Sequence, residues 1–246
     1  MSTWSSIHQF ISRREPAFDR ESIPVPLDAI RMTERGLGIR FPQTYVDFLC
    51  TAGELSGSYA PFLVRVNTNF YDIVERVSRG TNYPVERYWP GGLRIDIDGD
   101  LHDPFIDLAR SDGMDAPLVT FEPRMCFDWQ EPFDLMYTLA EELAANAFTL
   151  FEMERRKSSA NFLINPFHES GLNYLELTQL LELTEVVSAS PRLRIFEGAG
   201  PVAAAIFVWS GNIGVEVASD DPRPCRRIYE VFRDNIPGLC SELDFD

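Results

Sequence analysis

The sequence predicts an α+β protein, and three features of its pattern lead to that prediction. Apolar residues recur at helical spacing through most of residues 3–53, so each predicted helix buries one face. Apolar and charged residues alternate from Leu93 onward, and Asp98-Gly99 is a typical hairpin turn. A helix, three strands and a second helix follow one another in the C-terminal part of the chain.

Three helices are predicted near the N-terminus. The first runs from about Thr3 to Arg14, because a hydroxyl side chain can cap its free N–H groups and prolines break the pattern after it. The second fits Leu27 to Arg35, before the glycines at 36 and 38. The third begins near Pro42 and ends at Gly53.

The middle of the chain mixes strands with helices. Pro132 opens a long predicted helix that reaches Phe151, because apolar residues line one of its faces. The elements before it are a strand at Tyr59–Val66, a helix at Asn69–Ser78, a hairpin from Leu93 to Leu108, and strands at Leu118–Glu122 and Met125–Asp128.

A polar, charged stretch at residues 155–159 predicts a domain boundary near 157. The domains are then 1–157 and 158–246, the second being a smaller α+β unit with the order α-β-β-β-α. Its elements are a helix at about Asn173–Val187, strands at 193–197, 203–209 and 214–218, and a helix at about Pro222–Asn235. The strand at 203–208 is apolar on both faces, which indicates either a central buried strand or, if exposed, a dimerisation surface.

Charge limits the classes of partner that this protein can bind. The chain has 38 acidic and 22 basic side chains and a net charge of -16, so it lacks the basic footprint of a nucleic-acid-binding protein. The same charge repels anionic membranes and favours association with a basic protein. We expect a cytoplasmic location, because the sequence has no apolar run of spanning length and residues 1–14 do not resemble a secretory signal.

The sequence predicts no catalytic site, no metal site and no cofactor. The three histidines lie far apart, and the four cysteines form no C-x-x-C pair, so reduced thiols are expected. Ser210 is not in a nucleophile elbow, and Gly198-Ala199-Gly200 lacks a third glycine. An enzyme or small-ligand binder with a pocket between the two predicted domains remains an alternative.

The acidic segment within the predicted hairpin is the strongest candidate for a binding site. Alternating aspartates suggest a calcium loop, but Leu101 stands where such a loop needs glycine, and Asp107 stands where it needs glutamate. A solvated hairpin is the simplest alternative. A third interpretation is a contact with a basic partner, because fixed carboxylates pair well with Arg and Lys.

One set of motifs resembles a known family. The pattern "I, three residues, E, then L-G-x-x-[FL]-P, a Tyr, and F-L" is typical of the SUKH superfamily. The central hairpin with its Gly-Asp pair and Asp-Leu ending, the strand after it, and a helix opened by Pro-Phe are also similar to that family. These motifs cover residues 27–140, and the matching residues are Ile30, Glu34, Leu37-Gly38-Ile39-Arg40-Phe41-Pro42, Tyr45, Phe48-Leu49, Ile95, Gly99-Asp100, Asp107-Leu108, Pro117-Leu118-Val119, Pro132-Phe133 and Leu139.

The resemblance implies a fold, a function and a partner. SUKH proteins have an α+β fold with helices packed on one side of a mostly antiparallel sheet. Most are bacterial immunity proteins that bind and neutralise a toxin, often a nuclease, and a smaller branch regulates fungal cell-wall synthesis. We therefore expect an immunity protein that binds a cognate, basic toxin, and the alternative is a regulatory or scaffold protein with a different partner. The predicted partner-binding residues are Asp96, Asp98, Asp100 and Asp103, with Tyr88 and Trp89 beside them.

Overall fold

The computed structural model describes residues 2–61, 69–78, 91–95, 104–120, 133–166 and 174–245, and its helices and antiparallel sheets confirm the α+β class. The chain forms two compact units. The N-terminal unit contains Ser2–Ser5 and Glu15–Leu143, and the C-terminal unit contains Ser6–Arg14 and Ala144–Asp246. The boundary near 157 that the sequence suggests lies C-terminal to this division.

The helices described in the first 80 residues are α1 (Thr3–Arg14), α2 (Phe18–Glu21), α3 (Leu27–Leu37), α4 (Gln43–Ala52) and α5 (Phe70–Ser78). Four of them form close to their expected positions, whereas the short helix α2 is not predicted by the sequence. Helix α3 ends where Gly38 adopts a left-handed conformation with φ of 68°, which glycine reaches without steric cost. None of the described helices combines the length and apolar content needed to cross a bilayer.

Aromatic side chains form much of the core of the N-terminal unit. Trp4 packs edge-on against Phe48 with ring centroids 5.2 Å apart, and its indole N–H donates to Thr51 Oγ1 at 2.9 Å. The buried Tyr59 hydroxyl donates to the Leu143 carbonyl at 2.7 Å. The indole N–H of Trp4 and the hydroxyl of Tyr59 thus each have a partner, as their burial requires.

The described residues of the N-terminal unit form two antiparallel sheets. A two-stranded sheet pairs β1 (Ser22–Ile23) with β2 (Leu55–Ser56). A four-stranded sheet has the order β3-β4-β5-β6, formed by Gly92–Arg94, Phe105–Asp107, Pro117–Thr120 and Phe133–Thr138. Leu93 pairs with Ile106, so the two strands of the predicted hairpin are adjacent and antiparallel.

The prediction of a helix beginning at Pro132 is wrong in its first part, because residues Phe133–Thr138 form strand β6. Helix α6 (Leu139–Phe148) begins only after it and continues as a π-helical turn, Thr149–Met153. The start of α6 is a capping box: Thr138 Oγ1 accepts from the Glu141 N–H at 3.3 Å, and the Glu141 carboxylate accepts from the Thr138 N–H at 2.9 Å. This reciprocal cap fixes the helix start at Leu139.

The C-terminal unit contains a six-stranded antiparallel sheet with the order β12-β7-β11-β10-β9-β8. Helices α7 (Tyr174–Leu180) and α8 (Pro222–Asn235) belong to this unit, which also includes most of α1 and the end of α6. The strands are β7 (Ser158–Pro166), β8 (Thr184–Ser188), β9 (Leu193–Glu197), β10 (Val202–Trp209), β11 (Asn212–Ser219) and β12 (Gly238–Phe245).

The predicted α-β-β-β-α extension is therefore present with three further strands. Strands β7 and β12 flank it in sequence, and β8 occupies the second half of the helix predicted at 173–187. That helix stops early because Glu182 takes a left-handed conformation, with φ of 55°. Strand β10 lies between β11 and β9 and is largely buried, which confirms the interpretation of a central strand.

One face of this sheet and helix α8 enclose the core of the C-terminal unit. Phe162 of β7 meets Tyr229 of α8 edge-on, with ring centroids 5.2 Å apart. Asp221 caps α8 by accepting from the Arg223 N–H at 2.9 Å. The buried residues of this core include Ala160, Phe162, Ile164, Ala204, Ile206, Val215, Val217, Ile228, Tyr229 and Phe232.

Candidate functional site

All six predicted partner-binding residues lie outside the described residues. Tyr88 and Trp89 fall in 79–90, and Asp96, Asp98, Asp100 and Asp103 fall in 96–103. Their role in binding stays a prediction, as do the three interpretations of the acidic segment.

The strands that lead into and out of the acidic segment are described. The Ile95 N–H donates to the Pro104 carbonyl at 3.3 Å, so the two ends of the segment lie side by side. The buried Asp107 then ends β4: its carboxylate accepts from the N–H groups of Ala109 and Arg110 at 3.1 and 3.2 Å, and from the Arg110 guanidinium. Asp107 is therefore an anchor of the hairpin, and its carboxylate is occupied by this chain.

Glu34, the central residue of the family-like motif, fastens helix α3 to the loop that follows it. Its side chain is 1% exposed. Oε1 accepts from the backbone N–H of Phe41 at 2.9 Å, and Oε2 accepts from Arg31 at 2.7 Å and from Arg40 at 3.3 Å. We call this arrangement of Glu34, Arg31, Arg40 and Phe41 the Glu34 clamp.

The clamp holds Glu34 in its ionised form. Burial by itself would raise the pKa of Glu34, but hydrogen bonds from Arg31 and the Phe41 N–H, together with the charges of Arg31 and Arg40, lower it below the usual value. Glu34 therefore caps the loop that follows helix α3. Glu34 lies four residues after the buried Ile30 and therefore on the same face of helix α3.

A second loop supports the start of helix α4. Pro42 provides no side-chain cap, and the N–H groups of Gln43 and Thr44 instead donate to the carbonyls of Gly113 and Met114, at 3.0 and 2.9 Å. Two free donors at the helix start are thereby satisfied by a loop distant in sequence. The motif region is thus held at both ends of the α3–α4 connection.

The C-terminal unit contains a buried ionic cluster that the sequence did not predict. The carboxylate of Glu152, which is fully buried, accepts from the guanidinium of Arg14 and from Arg156 Nε at 2.8 Å. Arg14 also bonds Glu197 at 2.6 Å, and Arg156 bonds Asp220 at 3.1 Å. Each charge has an opposite partner, so the cluster joins helix α1 and the π-helical turn to the C-terminal ends of strands β9 and β11.

Glu216 is a described residue whose carboxyl group has its pKa raised into the neutral range by burial. It lies on β11, opposite Asn161 of β7 and Ala205 of β10, on the sheet face away from Val215 and Val217. Burial raises the pKa of Glu216 to about 7. Alternation along β11 predicts a polar residue at this position, but the burial that changes its proton affinity depends on tertiary packing.

Among the described residues, no cluster of three or more His, Cys, Asp or Glu side chains could hold a metal ion. No protein-family model matches the chain, and no curated protein matches it. The resemblance to the SUKH superfamily therefore rests on the motifs within residues 27–140.

Proposed function

We propose that this chain is a SUKH-type immunity protein, which binds a cognate toxin in the cytoplasm and neutralises it without catalysis. Binding would block the active site of the toxin or its substrate groove.

The observation that carries the proposal is the use of the motif residues. All six of the residues Ile30, Glu34, Phe41, Tyr45, Phe48 and Leu49 are buried. The carboxylate of Glu34 accepts the hydrogen bonds of the clamp. The aromatic residues pack in the core, where the ring centroids of Phe41 and Tyr45 are 5.4 Å apart. A motif whose residues are buried in this way defines a structural framework, so we infer that function resides on the exposed surface that the framework displays.

Charge supports a basic partner. An acidic inhibitor with a net charge of -16 attracts a basic protein over distances of about one Debye length, roughly 8 Å at physiological salt. A toxin that acts on nucleic acid carries such a basic groove, because it must bind phosphates. Electrostatic attraction would speed capture of the toxin before it reaches its substrate.

The test is to co-express this chain with the product of the gene directly upstream. Immunity predicts that growth is rescued and that the two proteins co-purify as a complex whose association slows as salt is raised. A neighbour that is harmless by itself and forms no complex would refute immunity, and a regulatory or scaffold role would then be favoured. Glu34→Ala, which weakens the framework, should reduce rescue in proportion to its loss of folded protein.

A further inference from the structure

Exposed apolar side chains meet on the two-stranded sheet of the N-terminal unit. Ile23 of β1 and Leu55 of β2 are direct cross-strand partners, so their side chains lie on the same face. Ile23 is 43% exposed and Leu55 is 51% exposed. Two large aliphatic side chains are thus adjacent and accessible to solvent.

Helix α5 begins beside this pair. The Phe70 N–H donates to the Gly53 carbonyl at 2.9 Å, and the Asn69 side chain donates to the Glu54 carbonyl, also at 2.9 Å. These bonds fix the first turn of α5, which carries the 42% exposed Tyr71, to the segment entering β2. We call Ile23, Leu55 and Tyr71 the β1–β2 patch.

The backbone beneath the β1–β2 patch is well anchored. The Glu54 N–H donates to the Ile23 carbonyl at 3.0 Å, and the Val25 N–H donates to the Leu49 carbonyl at 2.9 Å. Val25 and Leu49 are themselves buried. The patch is therefore presented on a framework that needs little ordering when a partner binds, which lowers the entropic cost of association.

The segments that form the patch are strongly acidic. Residues 18–28, 53–57 and 69–75 contain six acidic side chains and one basic side chain. Protein interfaces usually combine an apolar centre with polar surroundings, and the segments of this patch supply acidic ones. The acidic residues are Asp19, Glu21, Asp28, Glu54, Asp72 and Glu75, and the basic residue is Arg20.

The negative charge of these segments favours one kind of binding partner for the β1–β2 patch. A second copy of the chain would bring like charges together, and an anionic lipid surface would be repelled in the same way. A protein with a basic surface can pair its cations with the acidic side chains of these segments and can also pack against the apolar side chains of the patch. We propose that the β1–β2 patch is the centre of the interface with a basic protein partner, an inference that names the binding surface of the function proposed above and rests on it for the identity of that partner.

The experiment maps the patch with a photoreactive residue. Benzoylphenylalanine replaces Leu55 in the full chain or, as a matched control, Leu180, which is 61% exposed on α7 of the other unit. Each protein is illuminated in an extract of the cells that naturally make it, and the adducts are identified by mass spectrometry. The partner found is then purified, and its affinity is measured for the unmodified chain and for Ile23→Asp, Leu55→Ser and Leu180→Asp.

The expected result is an adduct at position 55 with a basic protein and none with that protein at position 180. Ile23→Asp and Leu55→Ser should each weaken binding by at least about tenfold, as for residues at the centre of an interface, whereas Leu180→Asp should not. No adduct at position 55, an adduct with a second copy, or equal affinity of the patch variants would overturn the inference. Circular dichroism confirms that each variant is folded before its affinity is compared.

The outcomes separate this inference from the proposed function. A basic partner that binds through the patch but is not toxic would sustain the inference and refute immunity. A toxin that is neutralised equally well by Ile23→Asp and Leu55→Ser would sustain immunity and refute the inference.

Discussion

Replacing Glu34 with Ala removes a buried carboxylate that accepts three hydrogen bonds. The largest loss is at the Phe41 N–H, a buried donor left without an acceptor, which costs about 1–3 kcal/mol. Arg31 is 37% exposed and Arg40 is 78% exposed, so solvent screens both ion pairs and together they add about 1 kcal/mol. We expect Glu34→Ala to lower the free energy of unfolding by about 2–4 kcal/mol.

Glu34→Gln keeps an acceptor for the Phe41 N–H and loses only the charge, so its deficit should be about 1 kcal/mol. The folded state lowers the pKa of Glu34, so the charge stabilises the fold above the unfolded value of 4.5. That contribution is lost as pH falls through the folded pKa, and the difference between Gln and Glu should vanish there.

Urea unfolding followed by circular dichroism measures these differences at pH 7. Hydrogen exchange of peptides from 27–52 assigns them to the α3–α4 region. Met32→Ala is the matched control, because Met32 lies on the exposed side of the same helix. A Glu34→Ala variant within about 0.5 kcal/mol of the unmodified chain would refute the clamp as a stabilising device, since surface substitutions fall in that range.

Three further perturbations have defined outcomes. Burial raises the folded pKa of Glu216 from 4.5 to about 7, so the stability of the unmodified chain should fall as pH rises between these two values. Glu216→Gln should therefore be more stable than the unmodified chain at pH 8, by at most about 3 kcal/mol, and should gain little at pH 4. Denaturation at both pH values measures the two differences, and an equal gain at each pH would contradict the prediction. Thr138→Ala removes half of the capping box and should cost about 1 kcal/mol, whereas Thr138→Ser should restore most of it, as thermal melts would report. If the proposed toxin is the partner, reversing Asp96, Asp98 and Asp100 to Lys should slow association with it and flatten the salt dependence, and unchanged on-rates in stopped flow would exclude these residues from the interface.

Elements with a complete local signal are predictable from the sequence. Helix α8 matches its predicted bounds because Asp221 caps its first turn and prolines occupy its start. The sequence predicts helix where strand β6 forms, because Phe133, Met136 and Tyr137 also fit helical spacing. The Thr138-x-x-Glu141 pattern was the signal that could have corrected the error.

The candidate binding surface is harder to predict for a physical reason. Ile23 and Leu55 become neighbours only through the pairing of two strands of two residues each, which are too short to show any alternation. Glu34 stood out in the sequence as a motif residue, but its burial depends on the loop that folds back onto it. Local pattern identifies the parts of the framework, and tertiary contacts decide which side chains stay exposed.

The position of β7 in its sheet has a consequence for the order of assembly. Strands β8, β9, β10 and β11 follow one another along the chain and pair in that order, so each can form as a local hairpin. Strand β7 pairs only with β11 and β12, both distant in sequence, and the loop that joins β7 to either partner must close before any ladder hydrogen bond forms. Insertion of β7 between them is therefore expected to be the slow step, and it completes the core layer that contains Phe162.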